Sequence, residues 1–519
     1  MLTPALLEQP GKWRAAGLCI GLLLAFSAPL FLVVTHGLKA APGEFWLGAG
    51  FGAALLRSVR VALTVAALSL LIGCPAGILA ALYRFRARSL LLALLALPLL
   101  LPSFLWALGA AMLRAALKLP ADGLLAGFSG TVLAFSALAL PLVIFVSLAA
   151  ARTISQSQAD AARLAGGERT LFRYSVRSVL PIASMSALLA GTLTLTDPGP
   201  GQILGYSGAG FEILTSFSAQ YDFALAARQC VAVAAVALLL SIPLIGGTAR
   251  SLATGLLTRD ATPVRPSRHT AAGWLGPALL LGVILLTVVL PLAGLLPPAL
   301  RAPQWARAGG EIARTALDTA RYTLAAALLA TLLGYGLAVC AGRDSQLRCW
   351  LLVAVLALLA LPPAVGALGW LHAGSSAPAA LVGLLRSHWS ASLHLASRGL
   401  PIAVVFALRS VGSTSPSWAQ AAALHGVPLS VYFRRVLVPL LLPAAGTAAL
   451  VVALFVMADV GSLILLAPPG ASSLPQAIFT VMANAPESLV SSLCLCYIGG
   501  MMLVLTLGWG VAARRPFHR

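Results

Sequence analysis

Apolar runs long enough to cross a lipid bilayer recur from one end of this 519-residue chain to the other. They cover Ala15–Val34, Val59–Leu82, Leu90–Leu113, Gly130–Ala150, Val179–Thr196 and Ala224–Ile245, then Trp274–Leu296, Tyr322–Val339, Leu351–His372, Leu393–Leu408, Val438–Ala458 and Ser488–Val511. About 20 apolar residues span the hydrocarbon layer as a helix. Inside lipid the backbone must satisfy its own hydrogen bonds, which an α-helix does within one segment. The runs therefore predict an all-α polytopic membrane protein of twelve transmembrane helices. Composition agrees, with 60% of residues hydrophobic and 9% charged, against about 25% charged in an average soluble domain. The segment after Leu113 and the short apolar stretch Ala379–Leu385 are candidates for re-entrant or interfacial placement.

The formal net charge is +20, but the 34 Lys and Arg are scattered at the ends of apolar runs. They form no dense basic patch interleaved with aromatics, so nucleic acid is excluded as a partner and the lipid bilayer takes its place. Short cytoplasmic loops hold the basic excess in membrane proteins. With the N-terminus in the cytoplasm, that side collects Arg84, Arg86 and Arg88, then Arg163, Arg169, Arg173 and Arg177, then Arg250, Arg259, Arg265 and Arg268, and finally Arg514, Arg515 and Arg519. Both termini are thus expected in the cytoplasm of a bacterial plasma (inner) membrane. Lys12 and Arg14 precede Ala15–Val34 as in a signal peptide, yet the run is long enough to span and lacks a clear small-residue cleavage site. It is expected to be a retained first helix. The seven cysteines lie in or beside apolar segments and read as small packing residues.

The chain also repeats itself. LALLALP occurs at Leu92–Pro98 and again at Leu356–Pro362, Pro141 inside the fourth run pairs with Pro401 inside the tenth, and Asp197-x-Gly199 after the fifth pairs with Asp459-x-Gly461 after the eleventh. The spacings agree on a repeat of about 260 residues. A first transmembrane domain is expected over 1–250, a cytoplasmic linker over 251–270 and a second domain over 271–519. Each half holds six runs, an even number, so the halves enter the membrane in the same sense, as parallel repeats.

Between the fourth and fifth runs of each half lies an unusually long polar loop, Asp160–Pro181 (DAARLAGGERTLFRYSVRSVLP) and Gln420–Pro439 (QAAALHGVPLSVYFRRVLVP). Each opens with an acidic or amide residue and two alanines, Asp160-Ala161-Ala162 and Gln420-Ala421-Ala422, reaches a glycine six residues on, Gly166 and Gly426, and closes on a proline. The pattern predicts a helix, a sharp turn at the glycine, and a second, basic amphipathic helix on the membrane surface. Small alanines let a partner's backbone come close, and glycine permits the reversal.

These loops resemble the EAA motif, E-A-A-x3-G-x9-I-x-L-P, of the permease subunits of binding-protein-dependent ABC importers. In that family the motif is the coupling helix that seats in a cleft of the ATPase subunit. The second copy keeps the spacing, with Gln420, Gly426, Val436, Val438 and Pro439 in the motif's places, while the first runs two residues longer to Leu180–Pro181. The resemblance implies two cytoplasmic ABC ATPase subunits, one per loop, and a periplasmic or surface solute-binding protein. The fused layout, the two Asp-x-Gly sequences and the stretch LLAPPGASSLPQAIFTVMANAPESL look like the ferric-iron type permeases and their relatives for thiamine, phosphonates or polyamines, so ferric iron or a related small solute is the implied cargo.

No chemistry of the chain's own is expected. Its lysines are Lys12, Lys39 and Lys118, none within the G-x4-G-K-[ST] sequence that cradles nucleotide phosphates, so ATP hydrolysis is expected in a separate subunit. No catalytic, metal or cofactor constellation stands out. Ionisable residues near a span are functional suspects, and Asp197 and Asp459, at external span ends, are candidates for a pathway or gate role or plain helix-end residues. The rival is an ion-coupled secondary transporter of two six-helix repeats, which usually buries carboxylates near the midplane; no paired set of them is evident.

Overall fold

The computed structural model describes residues 12–33, 35, 46–120, 122–256, 264–267, 270–376, 379–468 and 470–514. Arg259, Arg268, Arg515 and Arg519, counted above among the cytoplasmic charges, lie outside the described residues, as do linker residues 257–263, 268 and 269. Described residues are overwhelmingly helical, and their β pairing is one isolated bridge, Tyr83 with Ser267.

In chain order the helices are α1 (Lys12–Leu32), α2 (Phe51–Leu82), α3 (Arg88–Ala96, extended by a 3-10 turn at Leu97–Leu100), α4 (Ser103–Ala116) and α5 (Gly127–Ala151). Next come α6 (Gln156–Leu193), α7 (Gly199–Leu204), α8 (Ala209–Ser218), α9 (Phe223–Gly255), α10 (Thr270–Ile284), α11 (Leu290–Arg301) and α12 (Trp305–Ala341). The remainder are α13 (Ser345–Ala360), α14 (Pro363–Ser376), α15 (Ala379–Leu385), α16 (His388–Ser413), α17 (Pro416–Leu424), α18 (Leu429–Tyr432), α19 (Val438–Met457), α20 (Val460–Leu466), α21 (Leu474–Val481) and α22 (Glu487–Arg514). Among the described residues ten helical segments are long and apolar enough to cross a membrane, and two bent pairs bring the total to 12 if each is one span. The chain is an all-α polytopic membrane protein.

Two of the twelve expected spans are the bent pairs. Leu90–Leu113 and Leu351–His372 each break in the middle, α3 meeting α4 at 100° and α13 meeting α14 at 88°. Proline is the cause: the residue before it is pushed out of the helical region, and Leu101 before Pro102 and Leu361 before Pro362 are both extended. These breaks lie 260 residues apart, whereas the LALLALP copies lie 264 apart. The repeated heptapeptide is thus one helical turn out of register with the repeated bend, and the 3-10 turn Leu97–Leu100 fills the difference. Ala379–Leu385, a candidate re-entrant piece, forms the short helix α15 against α14 and α16.

By contacts the chain divides into two compact units, each drawing on three stretches of sequence. One holds Leu47–Asp222, Thr262–Thr319 and Gly470–Arg519. Here α2 packs on α5 and α6 through small residues: a side chain at Gly77 would strike the Ile144 carbonyl and Ser147, and one at Gly191 the Ala62 carbonyl. Close backbone approach of this kind drives helix association in lipid. Val61, Val65, Val132, Phe135, Ala139 and Ala190 form its core. The bent pair α3/α4 packs on α10 and α11, α4 also touches α7, and α22 covers α11.

The other unit holds Met1–Trp46, Phe223–Ala261 and Ala320–Pro469. Its inner helices repeat the pattern: Gly334 of α12 faces Ala403 and Val404 of α16, and Gly399 of α16 faces Val452 of α19. The bent pair α13/α14 packs on α9 and α1, and α14 touches α20. In each unit a bent pair is therefore flanked by helices from the other half of the sequence.

Candidate docking loops and the polar anchors of the bent helices

Both long loops begin with a helix that has serine at its N-cap position, Ser155 before α6 and Ser415 before α17, 260 residues apart, though the Ser415 side chain makes no capping hydrogen bond. Ser155 forms a full capping box with Gln158: its hydroxyl accepts from Gln158 N–H at 3.3 Å, and its own N–H donates to Gln158 Oε1 at 3.0 Å. Burial then runs in parallel through the two copies. Ala159 and Ala419 are buried, Asp160, Ala161, Gln420 and Ala421 are exposed, and Ala162 and Ala422 are half-buried.

Leu164 and Leu424, four residues past Asp160 and Gln420, are 90% and 87% exposed, more than any other large apolar side chain among the described residues. Reading the sequence for its alanines and glycines passed over them. The signal was present, since one leucine precedes the glycine by two residues in each copy.

The two turns are built differently. In the second loop Gly426 takes φ +67, its N–H donates to the Ala423 carbonyl at 3.1 Å and the Val427 N–H to the Ala422 carbonyl at 2.9 Å. This is the Schellman closure, which favours glycine because a Cβ is disfavoured at positive φ. In the first loop the left-handed residue is Gly167 (φ +70), one past the expected Gly166, which is extended (φ 175).

The first turn is held by side chains. Arg163 Nη1 donates to Asp160 Oδ1 at 3.3 Å, Arg163 Nε to Glu168 Oε1 at 2.8 Å, and Tyr83 Oη to Glu168 Oε2 at 2.6 Å. Burial, and next the Glu168 carboxylate, push the Tyr83 hydroxyl above the ordinary tyrosine range. Glu168 and Tyr83 are site residues the motif did not single out.

Beyond each turn the structure departs from the expected surface helix. From Glu168 the first copy runs as one helix through Pro181 to Leu193, and the second runs from Leu429 to Met457 through a π-helical turn at Phe433–Leu437 just ahead of Pro439. Proline lacks the N–H that a helix interior uses, and a π turn is one way to absorb that loss. Leu180, Pro181, Val436 and Pro439 are exposed. They sit about three to four helical turns from their glycines, so they are not brought to the loop tips with Asp160–Gly166 and Gln420–Gly426.

Asp197 and Asp459 are tied to the bent helices. Ser103, the first residue of α4 after the break, donates its hydroxyl to Asp197 Oδ2, and the Gly199 N–H donates to Oδ1 at 3.0 Å. Asp459 caps α20, accepting from Ser462 N–H at 3.1 Å and Ser462 Oγ at 2.9 Å, and lies 3.7 Å from Arg398 Nε. Arg398, 7% exposed, donates through Nη1 to the Leu361 carbonyl at the second break, at 2.9 Å. His394 Nε2 lies 2.9 Å from Ser462 Oγ. Asp459 is thus a half-buried helix cap that also pairs with the buried Arg398. The matching places in the first half are apolar, with Leu138 and Ala134 where Arg398 and His394 stand.

Among the described residues no three His, Cys, Asp or Glu side chains are grouped to hold a metal.

No protein-family model and no solved structure matches the chain. The thiamine transport system permease protein ThiP of Brucella abortus (strain 2308) is 28% identical over 456 residues, 81% of this chain and 79% of that protein. ThiP of Brucella melitensis biotype 1 matches at the same identity and coverage. A Salmonella typhi protein with the provisional name 2-aminoethylphosphonate transport system permease protein PhnU is 28% identical over 228 residues, 40% of this chain and 78% of its own length. Over most of its length the chain is similar to permease proteins of solute transport systems.

Proposed function

We propose that the chain is the fused, double-length permease of an ATP-driven importer in a bacterial inner membrane, with both termini cytoplasmic. Separate ATPase subunits, one per loop, dock on Asp160–Pro181 and Gln420–Pro439. The observation that carries this is the pair of helices with parallel burial, each carrying a bare leucine two or three residues ahead of a glycine at positive φ. An exposed leucine costs transfer free energy in water unless a partner covers it. Two at matching places suit two copies of one apolar cleft. The PhnU match supports two fused domains, since most of that protein's length corresponds to less than half of this chain.

A solute-binding protein on the outer face delivers the cargo, and closure of the ATPase pair rocks the membrane helices between inward- and outward-open states. Asp197 and Asp459 then act by holding the bent helices rather than as bare charges in a channel. The relatives' names make thiamine and 2-aminoethylphosphonate the first cargoes to test, with ferric iron after them. Ion-coupled transport finds no support among the relatives.

The test is co-purification of the ATPase encoded with this chain. Leu164→Glu and Leu424→Glu should each lower the bound ATPase and together abolish it, with the permease still inserted. Full retention by the double variant would sink the docking assignment.

A further inference from the structure

The stretch joining α9 to α10 returns to the first docking loop. Val264 N–H donates to the Ile154 carbonyl at 3.0 Å and Arg265 N–H to Gln156 Oε1 at 2.8 Å, beside the cap of α6. Ser267 pairs with the end of α2: its N–H donates to the Leu82 carbonyl at 2.9 Å, and its own carbonyl accepts from Arg84 N–H at 2.9 Å. Its hydroxyl accepts from Arg163 Nη2 at 3.0 Å.

Arg163 is the hub of this arrangement. One guanidinium reaches Asp160 before the glycine pair, Glu168 after it, and Ser267 of the linker. Two adjacent glycines specify a turn weakly, because each populates many backbone conformations. Here the geometry comes from outside the turn. The second loop has Ala423 and Pro428 at the places of Arg163 and Glu168, and it closes on its own backbone with proline fixing the exit.

We propose that residues 264–267 are a strut that sets the shape of the first docking loop, with Arg163 and Ser267 as its positioning residues. ATPase engagement at the first loop depends on the linker, and engagement at the second does not. The fusion of the two halves is thereby part of the coupling apparatus and not only a tether. This rests on ATPase docking at the loops, but the strut itself is measurable without any ATPase.

Hydrogen exchange on the full chain in nanodiscs tests it. Ser267→Pro removes both the N–H given to Leu82 and the hydroxyl offered to Arg163, and Arg163→Gln removes the guanidinium fork. Each should speed exchange of amides 160–169 about tenfold, while 420–428 change by less than about twofold. Should Ser267→Pro fail to insert, Arg163→Gln decides alone. Exchange at 160–169 unchanged within about twofold in Arg163→Gln overturns the strut even where ATPase docking is confirmed, as does equal acceleration in both loops. If the leucine variants instead leave ATPase binding intact, docking fails while the exchange result stands.

Discussion

Asp459→Leu leaves the Arg398 guanidinium buried with one remaining acceptor in its network, the Leu361 carbonyl. Breaking a buried pair from one side costs about 3–5 kcal/mol, because the surviving charge stays desolvated. Loss of the α20 cap adds about 1 kcal/mol. Arg398→Leu should cost less, since Asp459 keeps two donors from Ser462. It nevertheless orphans the Leu361 carbonyl, worth about 1–3 kcal/mol. The double variant Arg398→Leu/Asp459→Leu imitates the first half, where Leu138 takes the arginine's place. Apolar replacement of a whole buried pair is often neutral, so its cost should fall below that of Asp459→Leu alone. Unfolding in mixed micelles, followed by far-UV circular dichroism across the four proteins, should give a coupling of about 2–4 kcal/mol. Single effects that add within about 0.5 kcal/mol would refute the buried pair as the anchor of the second bend.

Gly426→Ala places a Cβ at φ +67 and should cost about 1–2 kcal/mol of local order, read as faster exchange of amides 422–428. Gly426→Asp and Ala422→Glu should abolish ATP-driven uptake while leaving membrane insertion unchanged, checked by vesicle uptake beside immunoblotting. The raised Tyr83 hydroxyl stays protonated in the folded loop, so its contribution is fully present below the ordinary tyrosine pKa of about 10 and is lost as pH climbs through and beyond that value. Protection of amides 160–169, corrected for intrinsic rate, should therefore be flat from about pH 7 to pH 9. Pro102→Ala should straighten the α3/α4 bend, narrowing the distance distribution between spin labels on the two helices toward a longer mean.

Much of the architecture is legible in the sequence because a bilayer forces it: apolar length alone reports a spanning helix. The bends at Leu101–Pro102 and Leu361–Pro362 were written in the prolines but hidden inside apolar runs, where hydropathy is blind to a break. The exchange of flanking helices between units was not legible, since it depends on which apolar faces meet and apolar faces in lipid look alike. At the two proposed docking loops, spacing located the first helix of each and the Gly426 turn. The first break falls at Gly166 as expected and takes in Gly167 as well, both non-helical, while the contacts of Arg163 with Glu168 and Ser267 that brace it are visible only in the fold. Asp459 was visible as a landmark, but its partner Arg398 lies 61 residues away, a pairing only the fold reveals.

Uptake into proteoliposomes holding the permease, its ATPase and its binding protein tests the central claim most directly. Thiamine, 2-aminoethylphosphonate and ferric ion are offered with ATP inside and no ion gradient, then with a proton or sodium gradient and no ATP. The account predicts accumulation of one solute with ATP alone, dependent on the binding protein and lost in Leu164→Glu/Leu424→Glu. Accumulation driven by the gradient without ATP, or ATP-driven uptake indifferent to both leucines, would contradict it.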